Sequence, residues 1–290
     1  RENEREADRI GFRNLVNAGF DPRSQSQMFQ ILQKSQSGIN EEYSYLFTHP
    51  IPKERITDAR IREENIDNQL NYRNSLEFYL VKARAEVANS KNLSSLEEFY
   101  LSKQKNNDNK IKLYKKYGLS LVLKEQKKYE ESFKAARELL KEIPSNLIFQ
   151  TNILEIHLAE GNSLEAISVG EKLLNVNSNN FSISYYLAKA YILDNNPEKA
   201  EEILINLSKE YPRDPTVWYE LAEAQGLAGN IIGLHRSRAE YFILTGRYDS
   251  AIFQLREGLK LSKNFFEIRE SIINKLEQIY KTKRALKDLT

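Results

Sequence analysis

The chain has 290 residues, which is long for a single compact core and predicts either two domains or one elongated array. Its 43 Lys and Arg residues nearly balance 41 Asp and Glu residues and are scattered along the chain, which excludes the basic footprint of a nucleic-acid-binding protein. The absence of Cys excludes disulfides and thiolate zinc sites, and the longest apolar run, residues 119–123, is far short of the roughly 20 residues that cross a bilayer.

The first predicted element is a helix from about Glu2 to Asn17, closed by Ala18-Gly19, with Ile10, Leu15 and Val16 among its buried positions. Glu4 and Asp8 are four residues apart, so they lie on one face of this helix, one turn from each other. The simplest interpretation is that acids in a first turn complement the helix dipole and face water.

A stiff loop and a second helix follow in the stretch "LFTHPIPKERITDAR". Pro50 favours an extended conformation at His49, and Pro52 restricts the residues after it. The segment "KERITDAR" predicts a helix whose charged residues form structural ion pairs, namely Arg55, Asp58 and Arg60.

Three segments, "EREADRIG", "AGFDP" and "THPIPKERITDAR", together resemble the C-terminal part of the gluzincin-type zinc metalloprotease domain shared by HtpX-like and BepA-like proteins. In that family an upstream helix carries HExxH, which supplies two zinc-binding histidines and the general-base Glu. The resemblance implies that Glu4 is the third zinc ligand and that Asp8 orients a zinc-site histidine. Such a site leaves one position open for a water whose pKa falls to about 7.

No HExxH occurs in these 290 residues, so two ligands and the base of such a site are missing. We therefore expect that the chain begins inside a protease domain, and that alone it neither holds zinc tightly nor cleaves protein. The resemblance also suggests that His49 acts as a gate that blocks the open zinc position. The alternative is that the His49 ring anchors its loop by a hydrogen bond.

Beyond residue 65 the pattern changes to a repeat. Leu76 to Ala88 and Leu93 to Lys103 predict a weaker helix pair, which we interpret as connecting helices or a degenerate first unit. From about residue 113 a spacing of 34 residues holds for four units, with apolar or small pairs at Leu119-Ser120, Ile153-Leu154, Leu187-Ala188 and Leu221-Ala222. Small residues recur at Ser132, Ala166 and Ala200, and helix-ending residues recur at Pro144, Ser178 and Pro212.

This pattern, anchored on Trp218, resembles the tetratricopeptide repeat over about residues 113 to 230. The turns Gly229-Asn230 and Gly246-Arg247 are only 17 residues apart, so one helix at about 231 to 245 serves two hairpins, and an amphipathic helix from Phe265 to Tyr280 caps the array. The expected fold is all-α, with part of a helical gluzincin-type protease domain at 1–65, connecting helices at 66–112 and a solenoid at 113–290.

The repeat register predicts a recognition surface. In tetratricopeptide units the first helix lines the concave face, and the position after the Trp-like one points into the groove; here it holds Tyr117, Thr151, Tyr185 and Tyr219. Tyr is favoured where proteins bind proteins, and Lys189 and Glu223 would rim this row. We expect it to recognise an extended or folded protein segment. The alternative is that the rings pack between adjacent helices.

The resemblance implies that the parent protein is a zinc endopeptidase of the bacterial envelope, located in the periplasm, with a signal sequence in a part that precedes this chain. Its expected partners are protein substrates, outer-membrane β-barrel proteins and their assembly machinery, in a quality-control role. The alternative is a non-enzymatic tetratricopeptide scaffold whose first 65 residues are only a structural collar. An HExxH motif in the upstream coding sequence would favour the enzyme.

Overall fold

The computed structural model describes residues 2–36, 53–64, 74–103 and 108–287, and every regular element in these ranges is an α-helix, which confirms the predicted all-α class. The chain divides into two compact units, residues 1–75 and 76–290, and we describe each by itself. None of the described helices is both long enough and apolar enough to span a bilayer.

The first unit contains α1 (Glu2–Asn17), α2 (Arg23–Gln36) and α3 (Lys53–Glu64). Both α1 and α2 pack on α3, around a small core of Phe29, Ile56 and Ala59. After α1 the chain reverses at Gly19, whose φ of 75° is left-handed, and the N–H of Phe20 donates to the carbonyl of Leu15 at 2.9 Å. The helix therefore ends where the sequence predicted.

The buried face of α1 differs from the prediction. Asp8 and Phe12 are its buried residues, whereas Ile10 is 41% exposed. Asp8 and Phe12 are four residues apart and share a face, while Ile10 lies about 200° around the helix from each of them. The inward face of α1 therefore combines an acid with an aromatic ring, a pattern that hydrophobicity alone does not select.

The second unit is an array of antiparallel helix hairpins. Its helices are α4 (Leu76–Ala88), α5 (Leu93–Leu101), α6 (Asn109–Glu125), α7 (Tyr129–Glu142), α8 (Leu147–Glu160), α9 (Ser163–Val176), α10 (Phe181–Leu193), α11 (Pro197–Glu210), α12 (Pro215–Leu227), α13 (Ile231–Leu244), α14 (Tyr248–Leu261) and α15 (Phe266–Lys287).

The period of 34 residues is exact in the middle of the array. The helices α8, α10 and α12 begin at positions 147, 181 and 215. Each is preceded by an N-cap residue whose side chain accepts a hydrogen bond from a first-turn N–H, and these caps are Asn146, Asn180 and Asp214. The predicted crossing residues Ser132, Ala166 and Ala200 are fully buried, because small side chains let neighbouring helices approach closely.

The two ends of the array depart from this regularity. At the start, α4 and α5 both pack on α6. At the other end α13 packs along both α12 and α14, which confirms the helix shared by two hairpins. The final helix α15 packs on α14 and buries Ile272, Leu276 and Ile279 in a shared core, as expected of a cap.

Candidate functional sites

The face of α1 that carries Asp8 is joined to α3 by a buried ion pair. Arg55 Nε and Nη2 donate to the two carboxylate oxygens of Asp8, each at 2.8 Å, and both side chains are largely buried. The hydrogen bonds that Arg55 donates to Asp8 raise the pKa of Arg55, and the charge of Glu4 adds to this rise. The Arg55 guanidinium also lies 4.6 Å from the ring centre of Phe29 in α2, so Arg55 in α3 connects α1 and α2.

Glu4, the predicted zinc ligand, is half-buried one turn before Asp8 on α1. Within the described residues no group of three His, Cys, Asp or Glu side chains is arranged to hold a metal ion. Asp8 uses both of its carboxylate oxygens to bond Arg55, and Glu4 carries a carboxylate of the kind that zinc accepts as a ligand. These residues fit one part of a zinc site, to which other residues must contribute the remaining ligands.

Asp8, to which the resemblance assigns an orienting role, is bonded to Arg55. Its side chain accepts two hydrogen bonds from Arg55, and the histidine that it was expected to orient is not among the described residues. The zinc-ligand role of Glu4 and the orienting role of Asp8 stay predictions. His49, the predicted gate, lies outside the described residues.

The predicted row of tyrosines is not uniform. Tyr117 has no exposed surface, and its ring packs 5.8 Å from that of Phe149. Thr151 is 5% exposed, and its hydroxyl donates to the carbonyl of Leu147 at 2.8 Å. These two positions lie inside the helix packing, as the alternative interpretation expected, so we leave Tyr117 out of the proposed partner surface.

Tyr185 is half-buried and held by its neighbours. Its hydroxyl donates to Glu220 Oε1 at 2.8 Å, and its ring stacks on Phe181. Lys189 is exposed, with its ammonium 3.4 Å from Glu220 and 5.5 Å from the centre of the Tyr185 ring. Burial and the carboxylate of Glu220 raise the pKa of Tyr185, so its phenol stays protonated at neutral pH.

Tyr219 is the member of the row that is open to solvent. It is 51% exposed, and its ring meets that of Tyr241 edge-on at 5.6 Å. Glu223, one turn further along α12, is also exposed. Tyr219, Lys189 and Glu223 are exposed, and the half-buried Tyr241 lies beside Tyr219. We call these four residues the tyrosine surface.

A buried charge network was missed by the sequence analysis. Glu155 in α8 is 3% exposed at its side chain, and it bonds Arg84 in α4 at 2.5 Å and Lys124 in α6 at 3.0 Å. Burial raises the pKa of Glu155, but the hydrogen bond from Arg84 and the charge of Lys124 outweigh it, so the pKa lies below the usual value. The available signal was a carboxylate, that of Glu155, between Leu154 and Ile156 in the apolar middle of α8.

Each of the two parts of the chain matches a known protein family. Residues 1–63 match peptidase family M48, and residues 157–224 match the tetratricopeptide repeat. These matches confirm the resemblance to a metalloprotease domain joined to tetratricopeptide repeats.

Several curated proteins are similar along most of the chain. The β-barrel assembly-enhancing protease of Yersinia pestis is 30% identical over 256 residues, which are 88% of this chain and 52% of that protein. The protein of the same name from Escherichia coli (strain K12) is 30% identical over 87% of this chain and 51% of its own length. A putative β-barrel assembly-enhancing protease of Vibrio cholerae is 29% identical over 87% of this chain and 52% of its own length. The chain therefore spans about half the length of the curated relatives it matches.

Proposed function

We propose that this chain is part of a zinc endopeptidase of the bacterial envelope, in which residues 1–65 complete a protease domain and residues 113–290 recruit proteins. The observation that carries the proposal is that one chain joins a match to peptidase family M48 with a match to the tetratricopeptide repeat. Its similarity to proteases named for β-barrel assembly supports the same assignment.

In this proposal Glu4 is a zinc ligand, and the Asp8–Arg55 pair fixes the turn of α1 that carries it. When bound, zinc polarises the substrate carbonyl and activates a water molecule at neutral pH. The remaining ligands and the general base come from an HExxH helix outside this chain. The described residues contribute by holding Glu4 at a defined place against α3.

The proposed substrates and partners are outer-membrane β-barrel proteins and their assembly machinery in the periplasm. The tyrosine surface is the proposed place of contact, because exposed aromatic rings supply rigid contact area that costs little side-chain entropy. For His49 we keep the gate as a proposal. In a protein that includes the HExxH segment, His49→Ala should then raise proteolysis, and lost activity in a folded variant would refute the gate.

The test uses a longer protein that contains the upstream segment, with zinc content and cleavage of an unfolded outer-membrane β-barrel protein as the readouts. We expect about one zinc per chain, and Glu4→Gln should weaken zinc binding by more than about 100-fold, since even outer-shell partners are worth 10–100-fold. Glu6→Gln is the matched control, because Glu6 is an exposed acid on the same helix.

Two results would contradict the assignment of Glu4. One is full zinc content in the Glu4→Gln variant of the longer protein. The other is stoichiometric, sub-micromolar zinc binding by the 290-residue chain alone, because a single carboxylate ligand is too few for a tight site.

The alternative is a tetratricopeptide scaffold without enzymatic activity, which the exposed ring of Tyr219 in the tyrosine surface also supports. The two functions differ in a single property of the gene. An upstream sequence that lacks HExxH would leave the scaffold as the function of the whole protein.

A further inference from the structure

A cavity of about 450 Å³ opens among α11, α12, α13 and the start of α15. It lies where α13 begins to serve two hairpins. Its volume falls within the range of 300–1,000 Å³ that is typical of ligand sites. None of the four residues of the tyrosine surface lines it.

One wall of the cavity is a connected set of polar side chains. Glu201 Oε1 accepts from Asn230 Nδ2 at 2.6 Å and from Gln225 Nε2 at 3.2 Å, while Ser237 Oγ donates to Gln225 Oε1 at 2.6 Å. Gly233 makes room for this set, because a Cβ there would lie 2.6 Å from Asn230 Nδ2 and 2.7 Å from Gln225 Nε2. The polar wall is therefore built and held before any ligand arrives.

The other wall is apolar and partly aromatic, and it includes Ile205, Trp218, Leu221, Phe265 and Ile268. The indole N–H of Trp218 donates to the carbonyl of Pro212 at 2.9 Å, which satisfies its polar atom and fixes the ring. Phe265 is 53% exposed. An aromatic side chain of a partner would find two rings against which to pack.

Among the described residues, no acid forms an ion pair with Arg236, the cation of the cavity lining. Arg236 is exposed and lines the cavity, and it has no ion-pair partner within 4.0 Å in the described part of the chain. Glu240, the acid one turn along α13, is paired with Lys275 at 2.7 Å. Glu201, the other acid of the lining, already accepts the two amide hydrogen bonds.

The equivalent cavity one unit earlier provides a comparison. It is lined by residues of α9, α10 and α11, and its cation Lys199 lies 4.9 Å from the ring centre of Tyr191. The Tyr191 hydroxyl in turn donates to Glu171, which also lines that cavity. There cation, ring and acid contact one another, whereas Arg236 has neither an ion pair nor a ring contact among the described residues.

We propose that this cavity binds an extended peptide segment that carries an aromatic residue next to an acidic one. The aromatic side chain packs against Trp218 and Phe265, and the carboxylate pairs with Arg236. Trp, Phe and Arg are among the residues enriched in the cores of protein interfaces. The partner is thus a protein segment of acidic-aromatic character, and its binding does not depend on proteolysis or on the tyrosine surface.

The chain contains one Trp, so its Trp fluorescence comes from Trp218, which lines this cavity. The probes are three blocked hexapeptides, GSFEGS, GSFKGS and GSAEGS, titrated into the 290-residue chain with selective excitation of Trp. We expect GSFEGS to change the emission saturably with a Kd below about 1 mM, and the other two to bind at least about 10-fold more weakly. No saturable change, or equal binding of GSFEGS and GSFKGS, would overturn the proposal.

Variants separate the charge of Arg236 from general basicity of the chain. Arg236→Gln should weaken GSFEGS about 10-fold and abolish its advantage over GSFKGS. Arg238 is exposed on the same helix but does not line the cavity, so Arg238→Gln should leave the affinities for GSFEGS and GSFKGS unchanged. If Arg236→Gln keeps the preference for the acidic peptide, or if Arg238→Gln loses it, the site is not the one proposed. Circular dichroism and thermal unfolding confirm that each variant is folded.

Discussion

Arg84 on α4 donates two hydrogen bonds to Glu155 on α8, the shorter of 2.5 Å, although the two residues are 71 positions apart in the chain. Lys124 on α6 completes the network from the other side. Three helices of the second unit are therefore tied together by one nearly inaccessible carboxylate. Because a carboxylate buried beside two cations must be charged to be stable, this network makes folding depend on pH.

The first prediction concerns that pH dependence. The pKa of Glu155 in the folded protein lies below its ordinary value of 4.5, so its stabilisation is complete above pH 4.5 and is lost as the pH falls through the folded pKa. Glu155→Gln should cost about 3 kcal/mol at pH 7, since it leaves two cations without their acid. Urea unfolding at several pH values should show that the difference in free energy of unfolding between wild type and Glu155→Gln shrinks below pH 4.5.

Glu125→Gln is the matched control for Glu155→Gln. Glu125 also pairs with Lys124, at 3.5 Å, but its side chain is 51% exposed. Its loss should cost less than about 1 kcal/mol. A difference between wild type and Glu155→Gln that stays constant down to pH 3 would show that folding does not lower the pKa of Glu155.

The second prediction concerns the packing of α5 on α6. A Cβ at Gly118 would lie 2.2 Å from Cζ of Tyr100, and the Tyr100 ring is 4% exposed and bonded to Glu86, so it has little freedom to move away. Gly118→Ala should destabilise the second unit by about 1–3 kcal/mol, the usual cost of overpacking. Gly258→Ala should instead be neutral or stabilise by up to about 1 kcal/mol, because its Cβ would meet neighbours at 3.4 Å or beyond. If urea unfolding gave the same change in free energy of unfolding for Gly118→Ala and Gly258→Ala, this account would be contradicted.

The third prediction concerns the first unit. Asp8→Asn should loosen α1 from α3, because it leaves the guanidinium of Arg55 beside a neutral amide. A loss of about 3 kcal/mol corresponds to roughly 100-fold faster hydrogen exchange at amides of α1 that open locally. Glu6→Gln breaks an exposed pair with Arg9 at 3.9 Å and should change exchange only a few-fold. If α1 stays protected in Asp8→Asn, the pair does not hold the helix.

The repeat was predictable because its signals are local. Turn residues and N-caps recur every 34 positions, as at Asn146, Asn180 and Asp214, and each acts on its own first turn. The shared helix α13 was predictable for the same reason, since Gly229 and Gly246 mark its ends with left-handed φ values.

The site contacts were less predictable because they join distant parts of the chain. Asp8 and Arg55 are 47 positions apart, and Arg84 and Glu155 are 71 apart, so no spacing rule pairs them. The tyrosine row shows the same limit. Register places Tyr117 and Tyr219 at equivalent positions, but burial depends on which helices cover each unit, and Tyr117 is covered while Tyr219 is open.

The last prediction separates recognition from packing at the tyrosine surface. Tyr219→Ala should weaken binding of a labelled, unfolded outer-membrane β-barrel protein by at least about 10-fold while changing stability by less than about 1 kcal/mol, because an exposed ring contributes little to folding. Tyr185→Ala should cost about 2–3 kcal/mol of stability, since its half-buried ring stacks on Phe181 and its hydroxyl bonds Glu220.

Tyr280→Ala, at an exposed tyrosine of the capping helix α15, is the matched control and should leave binding unchanged. Affinity is compared per folded molecule, so that loss of folded protein is not mistaken for loss of contact. If Tyr219→Ala binds as tightly as wild type, the exposed ring of Tyr219 has no role in recognition, and the partner contacts a different face. If Tyr185→Ala alone loses affinity per folded molecule, the partner displaces the bond between Tyr185 and Glu220, and the groove extends toward α10.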